Sequence, residues 1–457
     1  MDRNIEAYIK PGAHAHLVGI GGVSMAPLAE VLKGKGVDIT GSDMKESETV
    51  AHLRSLGIPV IIGHLPQSVE GAGCVIRTAA VHNDNPEIAA ALSAGIPVFE
   101  RAEAWGAIMR HYKNALCVAG THGKTTTTSM CAHIFLAAGR DPSVMLGGTL
   151  PILGAGHRVG RGDTIIAESC EYCNSFLSFA PTVAVILNVE EDHLDFFQDL
   201  DDIKRSFRRF AELVPSNGSV IVNADNAGAR SVAYGLDAFT FGLEEEAECT
   251  AANLQEAADG PEFDILVHSQ LYTHVKLQVH GRHNVSNALA AASAAYVLGV
   301  PGKAVEEGLA SFTGAGRRFE KKGEYHGAAV YDDYAHHPDE LRALLTMAKG
   351  LGYNRVVCAF QPHTYSRTAA FFDDFVQVLK LADLVVLADI YAARETDTLG
   401  VSSQALAERV PGAVCCATPE QAAARLAELA QPGDLILTVG AGDIYLAGEA
   451  LTGPGPI

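Results

Sequence analysis

The sequence predicts an α/β protein built from three units, each a mainly parallel sheet with helices packed on it. Three observations carry that reading. Short apolar runs such as Ala115 to Ala119, Val183 to Asn188 and Val356 to Phe360 alternate with helical patterns along the chain. Most of these runs end in glycines or in clusters of polar residues, as strands do before a tight turn into a helix. The 457 residues exceed what one core organises, and 45 of them are glycine, which suits many strand-to-helix turns.

Composition narrows the class further. Hydrophobic residues make up 48% and charged residues 19%, enough apolar material for several cores. The formal charge of −20 excludes a nucleic-acid or anionic-membrane surface, because both need basic patches. No run approaches the roughly 20 apolar residues that span a bilayer, and no secretory leader is visible. Nine cysteines, an odd number, read as reduced thiols, so the expected location is cytoplasmic. Cys170 and Cys173 form a Cys-x-x-Cys with no second pair at zinc spacing.

The first unit is expected over residues 1–111. The apolar strand His16 to Val18 runs into Gly19-Ile-Gly21-Gly22, and a helical pattern follows from Met25 to Leu32. Gly19-x-Gly21, with Asp43 after a second strand at Val37 to Thr40, has the start of a dinucleotide fingerprint. Ser24 occupies the place of its third glycine, so a dinucleotide-dependent oxidoreductase stays an alternative. Further strands at Val60 to Ile62, Cys74 to Thr78 and Ile96 to Phe99 complete a doubly wound, Rossmann-like pattern.

The second unit is expected over 112–315. It opens with Cys-Val-Ala-Gly120-Thr121-His122-Gly123-Lys124-Thr125-Thr126-Thr-Thr between a strand and a helix. Unpaired amides and the helix dipole then converge on one spot, which makes an anion cradle. Lys124 adds a charge for β- and γ-phosphates, and Thr125 a hydroxyl for Mg²⁺. The loop is shorter than the usual P-loop, with two residues instead of four between Gly120 and Gly123. Strand ends further on carry Glu168-Ser-Cys-Glu171 and Glu190-Glu-Asp192-His193-Leu-Asp195, on the edge where the loop sits. The stretch from Ser219 to about Gly260 reads as irregular, acidic and solvated, and Asn284 as a cap for a helix over Asn287 to Leu298.

The third unit, expected over 316–457, begins at a basic junction, Gly316-Arg317-Arg318-Phe319. Strands at Ala328 to Tyr331, Val356 to Phe360, Leu384 to Ala388 and Leu435 to Val439 give a second Rossmann-like α/β unit. Asp332-Asp-Tyr-Ala-His336-His337 and Gln361-Pro-His363-Thr-Tyr-Ser-Arg367 follow two of them, where open α/β sheets place ligand residues.

The shortened loop Gly-Thr-x-Gly-Lys-Thr-Thr resembles that of the Mur ligases, ATP-dependent enzymes of peptidoglycan precursor synthesis. The likeness extends collinearly through Gly-Ser-Asp43, Asp-Asn-Pro-Glu87, Arg101-Ala-Glu, Asp-His193-x-Asp and Gly-Arg-His-Asn284 to Phe-Gln-Pro-His363 and Val-Gly-Ala-Gly442-Asp. The resemblance implies a uridine-nucleotide unit, a central P-loop ATPase and a closing unit. It also implies UDP-N-acetylmuramate and L-alanine as substrates, joined with ATP and Mg²⁺ through an acyl phosphate. A sister enzyme that adds a preformed peptide is the nearest alternative, and either a monomer or a homodimer is compatible.

By the same resemblance, Gly120, Thr121, His122, Gly123, Lys124, Thr125 and Thr126 would hold the triphosphate, with Asn284, Arg318 and Asp332 also on the nucleotide. Lys124, Glu171 and His193 would be catalytic, and Thr125, Glu171 and His193 the metal ligands. Gly19, Gly21, Gly22, Ser42, Asp43, Thr78 and His82 would line the UDP-sugar pocket. His336, His363 and Arg367 would face the muramyl and alanine end. Relatives often have an arginine directly after the histidine of Gln-Pro-His, where Thr364 stands here, which shifts substrate charge onto Arg367.

Overall fold

A computed structural model describes residues 4–78, 81–194, 196–257, 260–393 and 395–453. Asp195, one of the candidate carboxylates, lies outside them. Among the described residues the strands form three sheets of five, ten and six strands.

The first sheet contains β1 (His14–Val18), β2 (Asp38–Asp43), β3 (Val60–Ile62), β4 (Cys74–Arg77) and β5 (Val98–Glu100), in the order β3-β2-β1-β4-β5 and all parallel. The order reverses direction at β1, so the glycines after Val18 open into a crevice between β2 and β4. Helices such as Met25–Gly34 cover the sheet with Leu28, Val31 and Leu32 turned inward.

The second sheet begins with β6 (Asn114–Ala119), β7 (Ser143–Leu150), β8 (Ala155–Arg158), β9 (Thr164–Glu168) and β10 (Val183–Ile186). It continues with β11 (Ser219–Asn223), β12 (Ala238–Gly242), β13 (Cys249–Ala257), β14 (Gly260–Val267) and β15 (Gln270–Lys276). β6 lies between β10 and β9, parallel to both, so their C-terminal ends share one edge. Val220, Ile221 and Val222 are buried, and the stretch expected to be irregular folds into β11, a short helix, β12 and β13. Its acidic turn is ordered by Asp225, which accepts the amides of Leu243, Glu244 and Glu245 at 2.6, 3.0 and 2.8 Å. A long-range carboxylate contact of this kind leaves no local periodicity to read.

The third sheet runs β16 (Glu320–Tyr325), β17 (Ala328–Asp333), β21 (Leu435–Val439), β18 (Val356–Phe360), β19 (Leu384–Ala388), β20 (Val414–Cys416), antiparallel only at β16–β17.

The first two units share one apolar core. The helix Arg101–Met109 packs on the turn holding Phe176, which stacks on Phe210 at 4.6 Å between centroids. The approach is so close that a Cβ on Gly106 would stand 1.9 Å from the Ser178 carbonyl oxygen. Burying side chains of this size contributes about 1.5–3 kcal/mol each, so the two sheets are held as one body.

Candidate active site at the seam of the second and third sheets

Between β6 and the helix Lys124–Ala137 the chain makes the phosphate-type turn expected there. Gly123 caps the helix at φ 81°, and a Cβ there would meet Asn287 Oδ1 at 2.7 Å, so only glycine suits the position. Asn188, just beyond β10, fixes the turn from outside. It accepts the His122 amide at 2.7 Å and donates to the His122 carbonyl at 3.2 Å.

Lys124 folds back over the turn. Its ammonium donates to the Thr121 carbonyl at 3.0 Å and to Glu171 Oε2 at 3.1 Å. Burial alone would lower its pKa, but the Glu171 carboxylate, helped by Cys170 and Glu168, raises it, so the lysine stays cationic. The Thr125 hydroxyl donates to Glu168 Oε2 at 3.0 Å, and Glu168 also accepts the Gly147 amide at 2.7 Å. His193, at φ 54°, brings Nε2 to 3.9 Å from Glu171 Oε1 and packs its ring on Tyr172 at 4.6 Å. Hydroxyl, carboxylates and imidazole thus gather beside the lysine.

The third sheet closes over this edge. Arg367 donates to Asp192 Oδ1 at 2.8 Å and stands 3.2 Å from His363 Nδ1. Burial would raise the Asp192 carboxyl, yet the Arg367 guanidinium holds it well below the usual carboxylate range. His363 stacks on Tyr391 and lies edge-on to His336 at 5.8 Å. Burial pushes His336 down to about 3 and His363 down to about 4, so both are neutral imidazoles near pH 7. His122 behaves in the opposite way. Burial disfavours its charge, but Glu340 of the third unit and Glu190 of the second outweigh it and push it up to about 10.

A cavity of about 950 Å³ lies along the seam. His122, Thr125 and Thr126 line one wall, Asn284, Asn287 and Asn226 another, and Arg318, Phe319 and Asp333 the third. Tyr331, Leu344, Met347 and Tyr353 add apolar and aromatic surface to its lining, suited to a flat base, while the phosphate-type turn contributes His122, Gly123, Thr125 and Thr126. A second cavity of about 540 Å³ sits at the C-terminal edge of the first sheet, lined by Gly19, Gly22, Asp43, His64, Thr78 and His82 among others. There Asp43 Oδ2 accepts the Gly21 amide at 2.9 Å. That carboxylate oxygen is therefore committed to the glycine turn.

Family profiles match the chain in three consecutive pieces: the Mur ligase family catalytic domain over residues 14–113, the Mur ligase middle domain over 118–295 and the Mur ligase glutamate ligase domain over 317–442. The chain belongs to the Mur ligase family. It is 46% identical over 450 residues to the UDP-N-acetylmuramate–L-alanine ligase of Lachnospira eligens, covering 96% of this chain and 97% of the relative. The enzyme of the same name from Caldanaerobacter subterraneus is 44% identical over 441 residues, covering 95% and 96%. Among solved structures, the UDP-N-acetylmuramate–alanine ligase of Thermotoga maritima superposes with a TM-score of 0.81 at 30% identity, over 96% of this chain and 98% of that one. A murein peptide ligase from Psychrobacter arcticus shares the fold at a TM-score of 0.70 and 24% identity, over 96% and 98%. The dinucleotide alternative has no counterpart in these matches.

Within this Mur ligase the seam brings together the turn 120–126, Glu171, His193, His336, His363 and Arg367, while Asn284 and Arg318 line its cavity. Asp332 is placed differently. It is fully buried, accepts Arg317 Nε and the Thr438 hydroxyl, both at 2.8 Å, and is turned away from the cavity that Asp333 lines. β17 alternates its faces, so adjacent aspartates point to opposite sides. Asn284 stands inside the first turn of the helix Arg282–Val297, capped at Gly281, and donates to the His280 carbonyl at 2.8 Å.

Ser42 is also turned from its cavity, with Oγ donating to buried Glu87 Oε2 at 2.5 Å. Glu87 joins His16 and His64 at 3.4 and 2.8 Å, and His64 reaches the cavity wall. Sequence reasoning passed over His64, Asn188, Asp192 as an arginine partner, and Glu340. Asn188 and Asp192 lay in the strand-end segments already marked, and that position was the available signal.

Proposed function

We propose that this Mur ligase joins L-alanine to the lactyl carboxylate of UDP-N-acetylmuramate with ATP, in the cytoplasmic stage of peptidoglycan precursor synthesis. Residues 1–111 would hold the uridine nucleotide, 112–315 the ATP, and 316–457 would close over both. The observation that carries the reading is the meeting of Lys124, Glu171 and His193 with Arg367 and His363 at one seam. The full-length relatives that bear the name of this activity support it.

A carboxylate is a poor acyl donor, so it must first gain a leaving group. One carboxylate oxygen bonds to the γ-phosphorus as the bond to the β–γ bridging oxygen breaks and ADP departs. The alanine nitrogen then bonds to the acyl carbon, the carbon–oxygen bond to phosphate breaks, and the nitrogen gives up its proton. Both transfers depend on alignment and charge neutralisation.

Lys124 would neutralise the phosphoryl oxygens, poised by its tie to Glu171. Thr125, Glu168, Glu171 and His193 offer hydroxyl, carboxylate and imidazole donors that fit Mg²⁺. Bound there, Mg²⁺ would supply positive charge to the triphosphate oxygens. His336, neutral near pH 7 with Nδ1 donating to the Tyr334 carbonyl, would accept a hydrogen bond from the alanine amine at Nε2. His363, whose Nδ1 accepts from Arg367, would offer Nε2–H to a substrate oxygen, and Arg367 would meet a substrate carboxylate.

The test is direct. The protein is incubated with ATP, Mg²⁺, UDP-N-acetylmuramate and, separately, alanine, glycine, serine or a peptide, and released phosphate is measured. Release that depends on alanine is expected. Release with a peptide and not with alanine would overturn the reading in favour of the sister activity.

A further inference from the structure

Arg101 opens the helix Arg101–Met109 directly after β5. It is half-buried, yet among the described residues its guanidinium has no hydrogen bond, ion pair or ring partner. Burial pulls its pKa down, opposed first by Cys170 and then by Glu100. Neither serves as its counter-charge. Burial pushes the Cys170 thiol up to about 12, so it is uncharged near pH 7, and Glu100 is already paired with Arg77 Nε at 2.8 Å. A cation withdrawn from water without a partner is unfavourable, so its retention here asks for an anionic ligand.

Its place in the fold says which anion. Arg77 of β4 pairs in register with Glu100 of β5, so Thr78 and Arg101 leave the same edge of the first sheet on neighbouring strands. Thr78 lines the cavity at that edge. Cys170 of the second unit is near Arg101 and also near Lys124, and it directly precedes Glu171, the partner of that lysine. Further along the same helix, Gly106 meets the Ser178 carbonyl, so this face is held against the second unit. Arg101 therefore stands between the cavity proposed for the uridine nucleotide and the lysine of the phosphate turn.

We propose that Arg101 binds the lactyl carboxylate of the sugar nucleotide, holding one oxygen while the other faces the γ-phosphorus. This rests on the reading above that UDP-N-acetylmuramate is the acid substrate, and not on which amine is joined to it. A guanidinium suits the task, because its planar fork matches carboxylate oxygens and it stays charged when partly desolvated. The diphosphate, the other anion of this ligand, has the glycine turn after β1 and the start of the helix Met25–Gly34, two strands away in the sheet order. Arg101 belongs to the first unit, so the acid is seated independently of the third, and Arg367 is left for the carboxylate of the amino acid.

Calorimetric titration of the full chain and of Arg101→Gln with three ligands tests it: UDP, UDP-N-acetylglucosamine, which lacks the lactyl group, and UDP-N-acetylmuramate. The parent protein should prefer UDP-N-acetylmuramate to UDP-N-acetylglucosamine. Arg101→Gln should weaken UDP-N-acetylmuramate roughly 10–100-fold, the range for losing a hydrogen bond to a charged group, and so erase that preference. Its affinity for UDP and UDP-N-acetylglucosamine should stay at the parent's level, which also reports that the first unit is folded. The proposal is overturned if the variant keeps the preference, or if it loses UDP as heavily, which would move Arg101 to the diphosphate. A parent that binds UDP but not UDP-N-acetylmuramate would instead sink the substrate reading, and this inference with it.

Discussion

Arg367 of the third unit donates to Asp192 of the second at 2.8 Å, and neither side chain is more than 9% exposed. The pair lies one residue from His193 and beside His363, so it joins the metal-type donors of one sheet to the imidazoles of the other. Few contacts couple closure of the seam to assembly of the site so directly.

Asp192→Asn tests that coupling. It leaves the Arg367 charge buried without a counter-charge, a loss of about 3–5 kcal/mol when a buried pair is broken from one side. The cost falls on the closed arrangement, because an open seam lets Arg367 reach water. With all substrates present, the variant should have a larger radius of gyration by X-ray scattering than the parent protein. Equal radii would show that this pair does not hold the seam.

Lys124→Ala removes the cation over the turn and leaves Glu171 buried and unpaired. Alanine-dependent phosphate release should fall on the order of 10²–10³-fold, the loss typical when one preorganised charge-stabilising donor is deleted. Binding of UDP-N-acetylmuramate, measured by calorimetry, should change little, because the cavity proposed for it is lined by residues of the first unit alone. Parallel loss of both would place the sugar nucleotide at the seam instead.

These expectations were legible because parallel strands are buried on both faces and so read as apolar runs. Their C-terminal ends therefore mark one edge, and Lys124, Glu171, His193, His336, His363 and Arg367 fall on such ends. What stayed hidden was the choice of partner. Nothing local says that Asp332 turns to Arg317 and Thr438 while Asp333 lines the cavity, since that follows from the register of β17 beside β21, which sets Thr438 opposite Asp332. The pairing of Ser42 with Glu87, 45 residues away, is equally invisible before β1, β2 and β4 are known to be neighbours.

Acid stability follows from the buried neutral histidines. His133 lies in the helix Lys124–Ala137, bonded through Nδ1 to the Ser311 hydroxyl at 2.7 Å, and burial pushes it down to about 4. Its unfolded value is about 6.5, so the unfolded chain binds the proton first. Its contribution is thus fully present above that value and is lost as pH falls from there toward 4. By pH 4 the loss from this one group is roughly 2–3 kcal/mol. Urea midpoints should drop across this window, and His133→Gln, which keeps a polar partner for Ser311, should flatten the drop. An unchanged acid limb would assign the sensitivity to His336 and other groups.

His193→Ala addresses the metal shell. His193 holds a left-handed backbone, its ring rests on Tyr172, and its Nε2 points to Glu171 at 3.9 Å, a gap wider than a hydrogen bond. A donor so positioned beside a carboxylate and a lysine is suited to share a divalent ion rather than to bond Glu171 directly. Removing it should raise the Mg²⁺ concentration needed for half-maximal phosphate release by about tenfold or more. The maximal rate at saturating Mg²⁺ should be less affected. Were His193 acting only to pack Tyr172, His193→Phe would restore the parent's Mg²⁺ curve; a ligand role requires that it does not. The two variants, titrated side by side, separate packing from coordination.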